Sequence, residues 1–355
     1  MTATVPVPVR LGRRSDRPGR AGTAPETGPL VDPFGRIHSD LRISVTDRCN
    51  LRCSYCMADE DQTFRSHDEI LTFAEIERVA RAARSLGITA LRLTGGEPLV
   101  RAGLVDLVGR LGRLGFDDLA LTTNGTALAR FAPALAAAGL QRVNVSCDSL
   151  RPERFARIRR RGELGAVLAA MDAAEGAGLC PVKVNVVLQR GVNDDEILDF
   201  VAFGRATGRE VRFIEFMPLD AEGRWARDAV VPSAEVVARI NARLPLQPVA
   251  VRGRDVAPAT AYRFLDGGGR VGVVATVTEP FCGTCNRLRL TADGAVRNCL
   301  FSDDELSLRD LLRGHGSDDD IALVFRRAVW GKRAGHGIGD PAFLRPGRTM
   351  SMIGG

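Results

Sequence analysis

The sequence predicts an α/β protein, a partial TIM-like (βα)6 barrel with a C-terminal extension that carries a second group of cysteines. Three observations predict it. Short apolar runs alternate with amphipathic helical patterns from Asp40 to Met217. The connections between them are short, which implies parallel strands joined by right-handed crossovers. The chemically unusual residues fall just after the apolar runs, and parallel α/β folds build their sites at the carboxyl ends of strands.

The strand candidates are 41–45, 90–93, 119–122, 142–145, 182–188 and 211–216, with helical patterns between them at 73–86, 104–114, 127–138, 165–177 and 195–206. Thr72 and Asp194 are the expected N-caps of the first and last of these helices, and Gly87 is a C-terminal stop. Six units are too few to close an eight-unit barrel, so the mouth is expected to be wide. Residues 32–250 are assigned to the barrel and 251–355 to the extension. Within the extension, 271–301 reads as strands around the second cysteine group, and the chain ends in Gly354-Gly355.

With 355 residues, 45% of them apolar, the chain can bury a sizeable core. It has no run of eighteen apolar residues, so no ordinary membrane span is expected. Residues 1–30 hold five Arg against one Asp and one Glu and lack an apolar leader segment. Residues 1–31 are therefore expected to be a disordered basic tail, in preference to a mitochondrial-type presequence, which would need an amphipathic period. The net charge of +6 does not come in Lys/Arg blocks interleaved with aromatics, so no nucleic-acid partner is expected. Of 49 basic residues only Lys183 and Lys332 are lysines, which singles out Lys183 on its strand.

Eight cysteines in a chain of this length do not form a secreted disulfide framework, and a reducing, cytoplasmic setting is expected. Cys49, Cys53 and Cys56 place three soft thiolate donors on one loop after the first strand, suited to an iron–sulfur cluster or to zinc. A structural zinc site needs four protein ligands, and only the isolated His67 lies nearby. Cys282, Cys285 and Cys299 repeat the pattern, with half of a zinc ribbon as the alternative; Cys147 and Cys180 read as ordinary buried cysteines. Arg287 and Arg289 alternate on an extended segment and so share a face. With Arg42, Arg92 and Lys183 on or beside strands, they suit an anion such as a polyphosphate, because an inward cation is costly without one.

The loop Cys49–Cys56, with Tyr55 before its last cysteine, and the run Gly95-Gly96-Glu97-Pro98 resemble the radical S-adenosylmethionine superfamily. More narrowly, 46–53, 122–125, 212–217, 281–289 and Gly354-Gly355 resemble the GTP 3′,8-cyclase family of molybdenum cofactor biosynthesis. That resemblance implies two 4Fe–4S clusters, one on Cys49, Cys53 and Cys56 and one on Cys282, Cys285 and Cys299. It places Tyr55, Gly96, Ser146 and Met217 at S-adenosylmethionine. It places Arg42, Arg92, Thr123, Lys183, Arg287 and Arg289 at GTP, with Arg212 a weaker candidate and Gly354-Gly355 a functional tail. It further implies that a 5′-deoxyadenosyl radical removes hydrogen from the 3′ carbon of GTP, whose ribose then bonds to carbon 8 of guanine. Cys147 stands where the family often has an aliphatic residue. A reducing electron donor, the next enzyme of the pathway and a second copy of the chain are the expected partners. The rival readings are a peptide-modifying radical enzyme with an auxiliary cluster and a zinc-stabilised nucleic-acid-binding protein.

Overall fold

The structure is a computed structural model and describes residues 22–57, 63–219, 223, 225–250, 257–341 and 343–354. Its first six strands are β1 (Asp40–Ser44), β2 (Ala90–Thr94), β3 (Asp118–Thr123), β4 (Arg142–Ser146), β5 (Val182–Leu188) and β6 (Glu210–Glu215). The helices that follow them are α1 (Phe73–Ser85), α2 (Leu104–Gly112), α3 (Leu128–Ala137), α4 (Pro152–Arg159), α5 (Leu164–Gly176), α6 (Ile197–Thr207) and α7 (Ser233–Asn241). Each of the six strands lies within about a residue of its expected bounds.

The extension, together with β7 (Leu246–Pro248) at the end of the segment assigned to the barrel, adds strands to both edges of this sheet. β7, β8 (Thr260–Phe264) and β9 (Arg270–Val274) precede β10 (Arg287–Leu290), β11 (Ala295–Arg297) and β12 (Glu305–Ser307). The order across the sheet is β12-β11-β10-β1-β2-β3-β4-β5-β6-β9-β8-β7. β10 pairs parallel with β1 and β9 pairs parallel with β6, so the six-stranded wall is lengthened at each end by late sequence. The chain finishes with α8 (Arg309–Arg313), α9 (Asp318–Trp330) and α10 (Met350–Ile353).

Local chemistry sets the helix ends. Thr72 and Glu75 form a reciprocal capping box at the start of α1, and Gly87 beyond its end has φ +93°. Asp194 is not the cap expected of it. It opens a 3-10 turn, Asp194–Glu196, where its carboxylate accepts from the Gly191 N–H and pairs with Arg239, and α6 begins after Glu196. The sequence reading also missed α4, whose apolar stripe is only Phe155 and Ile158 among arginines.

Of the segment 1–31, residues 1–21 lie outside those described. Farther on, the Trp330 indole on α9 donates to the Gly22 carbonyl at 2.9 Å, Arg326 donates to the Pro25, Thr27 and Gly28 carbonyls, and Leu30 is buried. The boundary expected at 250/251 adjoins 251–256, also outside the described residues, and strands on both sides of it join the same sheet. Among the described residues no helix is long and apolar enough to cross a membrane.

The main core lies between the sheet's outer face and the helices, built from Leu41, Ile43, Leu91, Leu93, Leu119, Leu121, Val143, Val145, Val182 and Val184 with α1, α2, α3 and α5. Because side chains alternate across a strand, filling the outer face with aliphatics leaves Arg42, Arg92, Asn144, Lys183, Asn185 and Arg212 for the inner one. Inside, these charged and amide side chains meet apolar ones such as Val187, Ile214 and Val274.

Candidate active site

The first cysteine loop is fixed by backbone pairing with the glycine-rich run after β2. The Gly96 N–H donates to the Thr46 carbonyl and the Glu97 N–H to the Arg48 carbonyl, both at 2.8 Å. The strands of backbone lie so close that a Cβ at Gly96 would collide with the Arg48 carbonyl oxygen and come within 2.6 Å of its carbon. Glu97 then secures the neighbouring rim. Its fully buried carboxylate accepts from the Thr123 hydroxyl at 2.7 Å, the Asn124 N–H at 2.6 Å and the Leu99 N–H at 3.0 Å. Gly96→Ala is expected to cost the iron bound by the first cysteine group while sparing that of the second. Iron and sulfide analysis of the purified variant checks this, and full iron content would refute it.

Burial raises all three thiols of Cys49, Cys53 and Cys56, taking Cys53 up to about 11; Cys49 adds to the rise at Cys53, and Cys53 and Cys49 add to it at Cys56. Free thiols in such surroundings keep their protons until a metal replaces them. The Ser351 backbone N–H in α10 donates to the Cys56 thiol. Tyr55, Ser146 and Met217 line the space in front of these thiols. The Tyr55 hydroxyl donates to Asp148 at 2.8 Å, and Arg159 at the end of α4 approaches the same Asp148 oxygen at 2.9 Å, a fully buried ion pair.

The second group assembles from distant sequence. Cys282 and Cys285 flank the short turn Cys282–Thr284, and Cys299 follows β11. Burial pushes the Cys282 thiol up to about 11, with Cys299 and Cys285 adding to the rise. Burial would do the same to Cys285, but Lys332 and Arg287 outweigh it and bring that thiol down to about 6. Arg36 donates to the Cys282 carbonyl at 2.6 Å and is held in turn by Asp32. His336, beside this group, has both ring nitrogens engaged, one with the Thr276 carbonyl at 2.9 Å and one with the Ile338 N–H at 3.1 Å. It is therefore not a spare metal ligand.

All six cysteines line one cavity of about 290 Å³. All eight cysteines of the chain are free; Cys147 is buried as expected, whereas Cys180 is exposed, a correction that follows from its place in the loop before β5. The donor sets fit two iron–sulfur clusters, since each offers three thiols to a shared chamber with no fourth cysteine beside it among the described residues.

Between the two groups lies a ladder of cations. Parallel pairing sets Arg289 beside Arg42 and Arg42 beside Arg92 on β10, β1 and β2. Burial pushes Arg42 and Arg92 down to about 9 and Arg289 to about 10; Arg289 lowers Arg42 further, Arg42 lowers Arg92, and Arg287 lowers Arg289. The Nε atoms of Arg42, Arg92 and Arg287, and Nη2 of Arg287, are buried with no hydrogen-bond acceptor. Arg287 stacks its guanidinium 4.5 Å over the Phe281 ring.

The remaining expected residues fall in different places. Thr123 lines the chamber with its hydroxyl committed to Glu97. Arg212 lines it with Nε on Glu210 at 2.6 Å. Lys183 is not among the lining residues; its ammonium lies 3.4 Å from the same Glu210. Gly354 enters the barrel, where its carbonyl accepts from Arg289 Nη1 at 2.8 Å, and Gly355 lies outside the described residues. Sequence reasoning did not single out the roles of Glu97, Asp148, Arg159 or Lys332. The Gly-Gly-Glu-Pro run carried a signal for Glu97, and the scarcity of lysine one for Lys332.

An open α/β sheet with three cysteines on the loop after β1 and a glycine-rich run packed against it after β2 places the chain in the radical S-adenosylmethionine class. The family model for that superfamily matches residues 43–204, and one described as Molybdenum Cofactor Synthesis C matches 209–338. A GTP 3′,8-cyclase of Mycobacterium sp. (strain KMS) is 50% identical over 94% of this chain and 96% of its own. One of Streptomyces coelicolor is 49% identical over 92% of this chain and 96% of its own. Among solved structures, Streptococcus suis SuiB bound to S-adenosylmethionine has a TM-score of 0.53 at 12% identity, covering 84% of this chain and 68% of that one. Native anSMEcpe with bound AdoMet has a TM-score of 0.52 at 14% identity, covering 84% and 81%. These two structures share the fold. The chain belongs to the GTP 3′,8-cyclase family.

Proposed function

We propose that this chamber converts GTP to 3′,8-cyclo-7,8-dihydro-GTP, the first step of molybdopterin biosynthesis, with S-adenosylmethionine as cosubstrate. The observation that carries the reading is the run of neighbouring arginines in which the buried Nε atoms of Arg42, Arg92 and Arg287 have no acceptor. Like charges brought together out of water are costly unless an anion meets them, and a triphosphate supplies oxygens for several guanidinium groups at once.

Cys49, Cys53 and Cys56 would hold one 4Fe–4S cluster and Cys282, Cys285 and Cys299 the other. When bound, these groups supply the one-electron reduction of S-adenosylmethionine and an open iron for the guanine ring. The chain's own part is position and charge. Arg42, Arg92, Arg287 and Arg289 grip the triphosphate, and Arg212 closes the far wall. Thr123 acts from the rim through Glu97, and Lys183 from beneath through Glu210. Gly96, Ser146, Met217 and the ring of Tyr55 form the surface for S-adenosylmethionine, with the Tyr55 hydroxyl tied back to Asp148. Gly354 steers Arg289. Residues 32–250 form the working wall and 251–355 complete it. The enzyme would work in the cytoplasm as a homodimer, fed by a reducing donor and followed by the next enzyme of the pathway.

Anaerobic, reconstituted protein given S-adenosylmethionine is expected to form 5′-deoxyadenosine in a GTP-dependent manner. With GTP deuterated at the 3′ carbon, the label should appear in the deoxyadenosine. Deoxyadenosine formed at the same rate without GTP would sink the substrate assignment.

A further inference from the structure

The chain meets nearly all its needs for positive charge with arginine, and its two lysines sit in very different surroundings. Lys183 shares Glu210 with Arg212 at the inner wall. Lys332, just after α9, is only 5% exposed and has no carboxylate partner among the described residues. Its Nζ donates to the Arg287 carbonyl at 2.8 Å and lies 3.5 Å from the Cys285 sulfur. A second cavity of about 50 Å³ borders the same three cysteines and is lined by Arg36, Lys332 and Arg333 instead of the chamber arginines. Lys332 therefore approaches the cysteine group from behind, away from where GTP is proposed to lie.

A buried ammonium without a carboxylate needs another anion. A thiolate that carries iron is the anion within reach. An ammonium is a compact charge with three donors, able to serve a carbonyl and a sulfur together, and a guanidinium brings the same charge and several donors on a wider fork. Hydrogen bonds to cluster sulfurs and nearby charge are among the main levers on cluster potential.

We propose that Lys332 is the positioning residue of the second cysteine group: held between the Cys285 sulfur and the Arg287 carbonyl, it orients one cluster ligand and sets the cluster's reduction potential. The proposal rests on the reading that Cys282, Cys285 and Cys299 hold a cluster. One contact runs to a ligand and the other to the backbone of a residue in the phosphate grip. Lys332 thus ties the second cluster to the strand that presents Arg287 and Arg289.

The test uses the full-length chain with Cys49, Cys53 and Cys56 all changed to Ser, so that only the second cluster contributes. If this parent takes up no iron, the cluster reading fails and not the role of Lys332. Redox titration followed by electron paramagnetic resonance should then give Lys332→Met and Lys332→Gln midpoints more negative than the parent's. The expected shift is at least tenfold in the reduction equilibrium, about 59 mV for one electron. Removing a positive charge disfavours the more negative, reduced state. An unchanged midpoint with iron retained in either variant would overturn the proposal. Should both variants lose iron, Lys332→Arg decides. Iron retained there supports a requirement for a cation, and iron lost in all three makes Lys332 a packing residue and overturns the proposal.

Discussion

Arg42→Met is expected to stabilise the metal-loaded, GTP-free protein while weakening GTP binding about 100-fold. Both effects follow from one fact. Arg42 is buried between Arg289 and Arg92, and its guanidinium is pushed down to about 9 by burial and by Arg289. Replacing a buried ion pair or triad with well-packed apolar side chains of similar volume is often neutral or gains roughly 1–4 kcal/mol, and the same balance of desolvation against attraction applies to a cation set among other cations. Asp40 and Cys285 offset part of the repulsion at Arg42, so a gain near the lower end, about 1 kcal/mol, is expected. Calorimetry without GTP should register a rise of a few degrees or less.

Once a triphosphate is present the sign reverses, because removing one member of a desolvated charge pair costs about 2–5 kcal/mol. Equilibrium binding of GTP to wild type and variant, each with full iron content, measures this loss. Equal affinities would show that the ladder does not face the nucleotide. Sites that hold strain for a ligand characteristically trade stability for function in this way.

Much of this was legible in the sequence wherever the chemistry is local. The six strands of the barrel wall are short apolar runs bounded by polar residues, and the cysteine loop after β1 declares itself by spacing alone. The strand pairs that enlarge the wall are different. β10 lies against β1 with its apolar outer face continuing the core and in spite of the cations it sets side by side, and nothing near Arg287 says which strand it will meet. The same holds for the Tyr55–Asp148–Arg159 cluster, whose members come from three segments; Tyr55 stands out in its cysteine loop, but Asp148 and Arg159 are unremarkable in theirs. Lys183 was singled out by its rarity, and rarity says nothing of depth; one register step places it on Glu210. Helix α4 was hidden because its arginines blur the apolar period, although one of them, Arg159, becomes among the most buried side chains in the molecule.

Gly354→Ala is expected to lower cyclisation about 100-fold without loss of either cluster. The tail is seated before it reaches this residue. Arg348 bonds to Asp293 at 3.0 Å and Glu305 at 2.7 Å, Ser351 meets the Cys56 thiol, and Ile353 is fully buried. Gly354 then adopts φ +81°, and a Cβ there would collide with the Thr94 hydroxyl oxygen and come within 3.2 Å of Ser44 Cβ. Alanine carries both the left-handed backbone cost and the clash, so the chain end must withdraw and Arg289 loses the carbonyl that aims it. A displacement of about 1 Å at such a site can cost on the order of 100-fold in rate. Gly347→Ala provides the control, because its Cβ would meet nothing nearer than Asp303 Oδ1 at 3.9 Å and should leave turnover unchanged. The informative comparison is product formed per 5′-deoxyadenosine released. A tail that aims Arg289 makes that ratio fall in Gly354→Ala, whereas a ratio and rate equal to wild type would reduce the inserted carbonyl to a packing contact.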